Sequence, residues 1–110
     1  MRRVVLAAAL SAAVLPALGQ ASYPSKPILL VIAFAPGGGT DTTGRIVSKR
    51  LTENLGQQVV VENRAGAGGN IATDFVAKAA PDGYTLALTS VGPLTVAPHM
   101  VAKLPYDPKR

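Results

Sequence analysis

The chain has 110 residues, 48% of them hydrophobic, and eleven lysines and arginines against six acidic residues give a formal net charge of +5. That length holds one small domain and no more. Cysteine is absent, which excludes disulfides, thiol nucleophiles and cysteine-ligated metals. The basic residues are scattered without interleaved aromatics, which argues against a nucleic-acid partner.

Met1, Arg2 and Arg3 open the chain, an apolar run follows from Val4 to Leu18 broken only by Ser11 and Pro16, and Gly19, Gln20 and Ala21 form a small-residue exit. A basic start, a short apolar stretch and a small exit make the pattern of a cleavable secretory signal. A membrane anchor or a buried helix is the competing reading, but the run is short for crossing a bilayer. Residues 1–21 are therefore expected to be a signal peptide cut after Ala21, with Gly19 as the alternative. Residues 22–110 then hold nine basic and six acidic side chains. So modest an excess suits an anionic ligand without requiring one.

Ser22 to Pro27 carries two prolines and reads as an extended lead-in. The continuous apolar run from Ile28 to Ala35 predicts a strand buried on both faces, as in a parallel sheet, and Pro36-Gly37-Gly38-Gly39 stops it. Thr40 to Leu55 predicts a helix, capped by Thr40 or Asp41. Val47, Leu51 and Leu55, with Ile46 beside them, would be its apolar stripe, and Gly56 its terminator. Val59-Val60-Val61 predicts a second strand ending at Glu62-Asn63. A glycine-rich loop, Arg64 to Gly69, leads to a second helix capped by Asn70 and running to about Ala80. Its apolar positions are Ile71, Ala72, Phe75, Val76, Ala79 and Ala80, and Asp74 and Lys78 sit four apart on the other side as a weak pair. Pro81-Asp82-Gly83 makes a turn, Tyr84 to Thr89 a third strand, and Gly92, Pro93 and Pro98 bracket a short helix before a connector from Pro105 to Pro108. Strand, helix, strand, helix, strand implies an α/β fold: an open parallel sheet with flanking helices and right-handed crossovers.

In such sheets ligands bind beyond the carboxyl ends of the strands. Three loops are expected there: Ala35 to Asp41, Arg64 to Asn70, and Thr89 to Pro93. Glycine lets backbone amides approach a ligand, and a helix N-terminus adds unpaired amides and partial positive charge. Candidate ligand-binding residues are Ala35, Pro36, Gly37, Gly38, Gly39, Thr40 and Asp41, then Ala67, Gly68, Gly69 and Asn70, then Thr89 and Ser90. The plainer reading is that the glycines only permit tight turns, and spacing alone does not separate a carboxylate from a phosphate. Asp41 would repel a bound anion at close range and suits a helix cap better. Arg64 either steers an anion or is a solvated loop residue. Sharper chemistries fail: His99 is the only histidine and has no partner at metal-ligand spacing. There is no nucleophile elbow, no Walker lysine after the glycines, and neither glycine cluster completes the dinucleotide fingerprint, since Thr42 and Ile71 stand at the third positions. A dinucleotide-binding domain remains the competing class, with Glu62 where its acidic residue would sit.

A series of short motifs then falls into one pattern. It comprises Tyr23-Pro24-Ser25-Lys26-Pro27-Ile28, Phe34-Ala35-Pro36-Gly37-Gly38-Gly39-Thr40-Asp41, Leu55-Gly56-Gln57 and Val60-Val61-Glu62-Asn63-Arg64. It continues through Gly66-Ala67-Gly68-Gly69-Asn70-Ile71, Ala79-Ala80-Pro81-Asp82-Gly83-Tyr84-Thr85-Leu86 and Leu104-Pro105-Tyr106-Asp107-Pro108. In order and spacing this resembles the tripartite tricarboxylate transporter substrate-binding receptors, the Bug-type periplasmic proteins. Each motif is modest; the series is specific and spans essentially all of residues 22–110. The resemblance implies one lobe of a two-lobed Venus-flytrap fold. It implies a small organic carboxylate (a di- or tricarboxylate, an acidic amino acid or a related acid) gripped largely by backbone amides, and delivery to a two-component membrane permease. It implies no catalysis, no metal and no cofactor. Family contacts from the first lobe fall on the three loops already named. Members continue into a second lobe, whereas this sequence stops at Arg110. The expectation is therefore the N-terminal part of lobe 1, with the second lobe absent, as a truncated product, a gene fragment or half of a split receptor.

Overall fold

The fold is seen in a computed structural model that describes residues 22–109. The expected signal peptide lies outside the described residues. Strand β1 covers Ile28–Ile32, helix α1 Gly39–Leu55, strand β2 Val59–Asn63, helix α2 Asn70–Lys78 and strand β3 Thr85–Leu88. A wide turn over Gly92–Val96 runs into a short helix α3, Ala97–Met100. The three strands form one parallel sheet in the order β2-β1-β3. Ile28 pairs with Val59 and Leu29 with Thr85.

The apolar run at β1 becomes the central strand because both of its faces are covered. Ile28 and Leu30 pack with Val59 toward Leu51 of α1. Val31 and Ala33 pack with Ala72 toward Phe75 and Val76 of α2. Alternation along one strand thus feeds two cores. The helices lie on opposite faces because the first crossover runs from β1 outward to β2 and the second runs back from β2 past β1 to β3, in the opposite direction, and each is right-handed by rule. At the other end of the strands, Tyr23 donates to the Gly83 carbonyl (2.6 Å) and the Ser25 amide donates to the Tyr84 hydroxyl (2.8 Å), which ties the lead-in segment down.

The structure corrects several sequence expectations. β1 ends at Ile32, three residues early. Ala33 keeps one bond to β3, through the Leu88 carbonyl, and the chain then bends away. The stripe predicted for α1 is rotated. Ile46 is 62% exposed and Val47 and Leu55 are exposed too, while the buried positions are Asp41, Gly44 and Ser48, with Leu51 half-buried. Two physical reasons account for this. A Cβ at Gly44 would sit 2.4 Å from Ile32 Cδ1 and 3.1 Å from Leu88 Cδ2, so the missing side chain lets the helix lie close on the sheet. Ser48 donates to the Val59 carbonyl (2.7 Å), satisfying a strand end inside the core. α2 stops at Lys78 rather than Ala80, since Pro81 removes the next amide and disfavours helical backbone at Ala80. Gly92 and Pro98 do not bracket a helix; they lie within one helical stretch. There the Ala97 amide bonds the Gly92 carbonyl, five residues back. That widening accommodates Pro98, whose ring would clash with the carbonyl four residues earlier in a regular helix. No helix among the described residues is long and apolar enough to cross a membrane.

Candidate functional site

Because all three strands run parallel, their carboxyl ends lie on one edge, and the loops that follow them meet there. Strand order reverses direction at β1, which puts the crevice of such a sheet between the loops after β1 and β3. The first loop carries Ala35, Pro36, Gly37, Gly38 and Gly39, all exposed. Gly38 is the N-cap of α1 and makes no side-chain cap bond, so Thr40 and Asp41 sit in the first turn rather than capping it. The second loop turns through Gly66, Gly68 and Gly69 at φ of 135°, 65° and 98°, with Ala67 at 48°. Gly69, not Asn70, precedes α2, again without a side-chain cap. Both helices therefore turn first-turn amides, with their partial positive charge, toward this edge uncapped by side chains.

Asp41 is 5% exposed and carries the most connected side chain of the site. One carboxylate oxygen, Oδ2, accepts from the Gly37 amide and from Arg45 Nε, both at 3.0 Å. The other, Oδ1, accepts from Asn63 Nδ2 at 2.9 Å. The Arg45 bond first, then the Gly37 amide and Asn63, hold its pKa well below the usual carboxylate value, at about 2, against the opposing push of burial. Its charge is thus met by protein donors. Asn63, at the end of β2, also donates to the Phe34 carbonyl at 3.0 Å.

The second and third loops are locked by packing. A Cβ at Gly69 would lie 3.0 Å from Pro93 Cγ, 3.2 Å from Thr89 Oγ1 and 3.4 Å from the Ala33 Cβ. Gly69 therefore stands where the second loop, the third loop and the end of β1 converge. Thr73, buried on α2, donates to the Gly69 carbonyl at 2.9 Å and reaches Thr89 Oγ1 at 3.4 Å. Tyr106 shares its hydroxyl proton between the Pro93 carbonyl (2.7 Å) and Asn70 Oδ1 (2.8 Å). Burial first, and then the charge of Asp74, raise its pKa. The expected connector from Pro105 to Pro108 thus returns a buried tyrosine under the loops after β2 and β3. Ala67, Gly68 and Ser90 are exposed there and Thr89 is half-buried.

Arg64 is neither a free anion hook nor a solvated loop residue. It pairs with Glu62 and lies 3.6 Å over the Phe75 ring. Lys78 Nζ stands 2.7 Å from an Asp74 carboxylate oxygen, the expected pair. Two hollows, of about 470 and 630 Å³, open on the flanks of the sheet, beside α1 and β2 and beside α2 and β3. Apart from Thr89 neither includes a candidate binding residue. No group of three metal-ligating side chains occurs among the described residues. Asn63 and Tyr106 escaped the sequence reading as contributors to this edge. One resembles a strand terminator and the other part of a proline-rich connector, and their partners lie 22 and 36 residues away.

This parallel α/β unit, with its amide-rich ledge at the strand ends, has the architecture of one lobe of a periplasmic-binding-protein fold. Comparison with known proteins agrees. The chain belongs to the tripartite tricarboxylate transporter receptor (TctC) family, whose model matches residues 43–110. It is 50% identical to the protein BugT of Bordetella pertussis over 86 residues, which is 77% of this chain and 26% of that one. The periplasmic binding protein BugD superposes with a TM-score of 0.73 at 43% identity, covering 78% of this chain and 28% of BugD. MatC from Rhodopseudomonas palustris, solved with bound malate, superposes with a TM-score of 0.74 at 40% identity, covering 80% and 30%. The chain thus spans between a quarter and a third of the length of these relatives.

Proposed function

We propose that this chain supplies the N-terminal part of the first lobe of a periplasmic receptor. That receptor captures a small organic carboxylate, a di- or tricarboxylate or related acid, for a two-component permease of the tripartite tricarboxylate type. One observation carries the reading: two glycine-rich loops enter helices without side-chain caps on the same sheet edge. Such an edge offers an anion amides without a permanent cation. The bound malate in MatC supports a carboxylate over a phosphate. On this reading Gly38 and Gly39 and Ala67 and Gly68 present backbone amides, Thr89 and Ser90 present hydroxyls, and Asp41 and Asn70 shape the loops together with Gly37 and Gly69, whose own amides are bonded to Asp41 and to the Gly66 carbonyl. Ala35, Pro36 and Thr40 flank the first cradle.

Calorimetry of the purified protein against a panel of organic acids tests the reading, with malate and related dicarboxylates expected to give heat and inorganic phosphate none. Silence across the panel would overturn it. The same reading assigns residues 1–21 to a cleaved signal. N-terminal sequencing of protein from the periplasm is expected to begin at Ser22, and an uncleaved cytoplasmic product would refute that part.

A further inference from the structure

The first glycine-rich loop has almost no packing to hold it. A Cβ at Gly37 or Gly39 would meet nothing within 4 Å, and at Gly38 only the Ala35 carbonyl at 3.9 Å. Glycine is also the most conformationally free residue. Order in this loop must therefore come from hydrogen bonds, and apart from Thr42, whose amide and hydroxyl hold the Gly38 carbonyl, those bonds converge on two side chains. Asn63 Nδ2 donates to the Phe34 carbonyl, where the chain leaves β1, and to Asp41 Oδ1, where it has entered α1. Asp41 Oδ2 accepts the Gly37 amide between those two points. Arg45, on the next turn of α1, balances the carboxylate and approaches Asn63 Oδ1 at 3.4 Å. The result is a clip that closes both ends and the middle of the loop from below, while Gly38 and Gly39 stay exposed above it.

We infer that Asp41 and Asn63 are positioning residues of the binding edge: they do not touch the ligand, but hold the loop so that the amides of Gly38 and Gly39 face its carboxylate. This rests on the carboxylate reading proposed above. A loop ordered before the ligand arrives spares the complex the entropy of ordering it. It also explains why a buried acid sits beside an anion site. With its charge met by Arg45, Asn63 and the Gly37 amide, Asp41 organises the loop without opposing the ligand.

The experiment compares four variants of the purified protein with the parent: Asp41→Asn, Asn63→Ala, Asn63→Asp and Ser48→Ala. Amide hydrogen exchange at Gly37, Gly38 and Gly39, malate affinity from amide shift titration, and Tm are read for each. Ser48 is the control, a buried residue of the same helix that bonds Val59 and is outside the clip. Asp41→Asn and Asn63→Ala are expected to speed exchange at the three glycines and to weaken malate binding about tenfold, the loss of one charge-assisted or buried hydrogen bond. Asn63→Asp keeps the side-chain volume but puts a second carboxylate against Asp41 and the Phe34 carbonyl, and its effect is expected to be at least as large. Ser48→Ala is expected to lower Tm while leaving exchange at the glycines and affinity unchanged.

Asn63→Asp behaving like the parent, or glycine exchange unmoved in all three clip variants, would overturn the inference. So would faster exchange with unchanged affinity. A parent that responds to no acid overturns the carboxylate reading instead, and the exchange data keep that failure distinct from a failure of the clip.

Discussion

The two glycine-rich loops look alike in sequence and are held by opposite means. In the first, Gly37 and Gly39 have open space where a side chain would go, and its shape depends on one carboxylate and one amide. In the second, Gly66 and Gly69 have no room. A Cβ at Gly66 would strike Ile71 Cδ1 at 2.5 Å, and Gly69 is wedged among Pro93, Thr89 and Ala33. Glycine richness therefore has two meanings on one sheet edge: open space around the backbone in the first loop, and close approach to neighbouring side chains at Gly66 and Gly69 in the second, while left-handed backbone occurs in both, at Gly37 as well as Gly68 and Gly69. A motif reading that treats both as one anion cradle misses which mutations each can tolerate.

That contrast can be broken in graded ways. Gly69→Ala is expected to have the largest effect, a loss of about 3 kcal/mol, because a side chain there meets both a left-handed backbone penalty and three close neighbours. Denaturant unfolding checks it, and a loss as small as that of a first-loop glycine would dissolve the distinction. Tyr106→Phe comes next, at about 1–2 kcal/mol, since it leaves the Pro93 carbonyl and Asn70 without their buried donor. Chemical denaturation should show it without a change in m-value.

Asp41→Asn sharpens the contrast through pH. The native carboxylate has its pKa lowered from 3.8 to about 2, so its contribution is full above the unfolded value and fades as pH falls through the native one. The Tm gap between the parent and Asp41→Asn is therefore expected to be widest above pH 4 and to close toward pH 2. A gap that does not change with pH would show that the charge is not what braces the first loop. Gly39→Ala is expected to change stability by less than about 1 kcal/mol, toward stabilisation, as alanine replaces glycine in an open first-turn position. A large loss there would mean the first loop is packed after all.

Much of the architecture was legible because it rests on local pattern. The unbroken run Ile28–Ala35 announced a doubly buried strand, the β-branched triplet at Val59 a second, and the glycines the sites of turning. What escaped depends on partners distant in sequence. α1 turns Gly44 and Ser48 inward instead of Ile46 and Val47 because the sheet below needs close approach and a hydroxyl for Val59, neither visible in hydropathy. The three loops were placed correctly at the carboxyl ends of the strands, but their supports were not. No spacing rule links Asp41 to Asn63 or Tyr106 to Asn70, and Arg64 reads as a free cation until Glu62 and Phe75 are seen around it.

The register of the sheet has a consequence for the order in which the molecule is made. β1 leaves the ribosome before the other two described strands and is the one that both of them need, yet its partners begin at Val59 and Thr85. Until residue 88 has been synthesised, the most apolar segment of the domain has only one of its two strand neighbours. Pairings so far apart in the chain close slowly, so the domain stays uncompleted through most of its translation. A centre that is made first and finished last keeps the sheet from closing until its third strand has emerged.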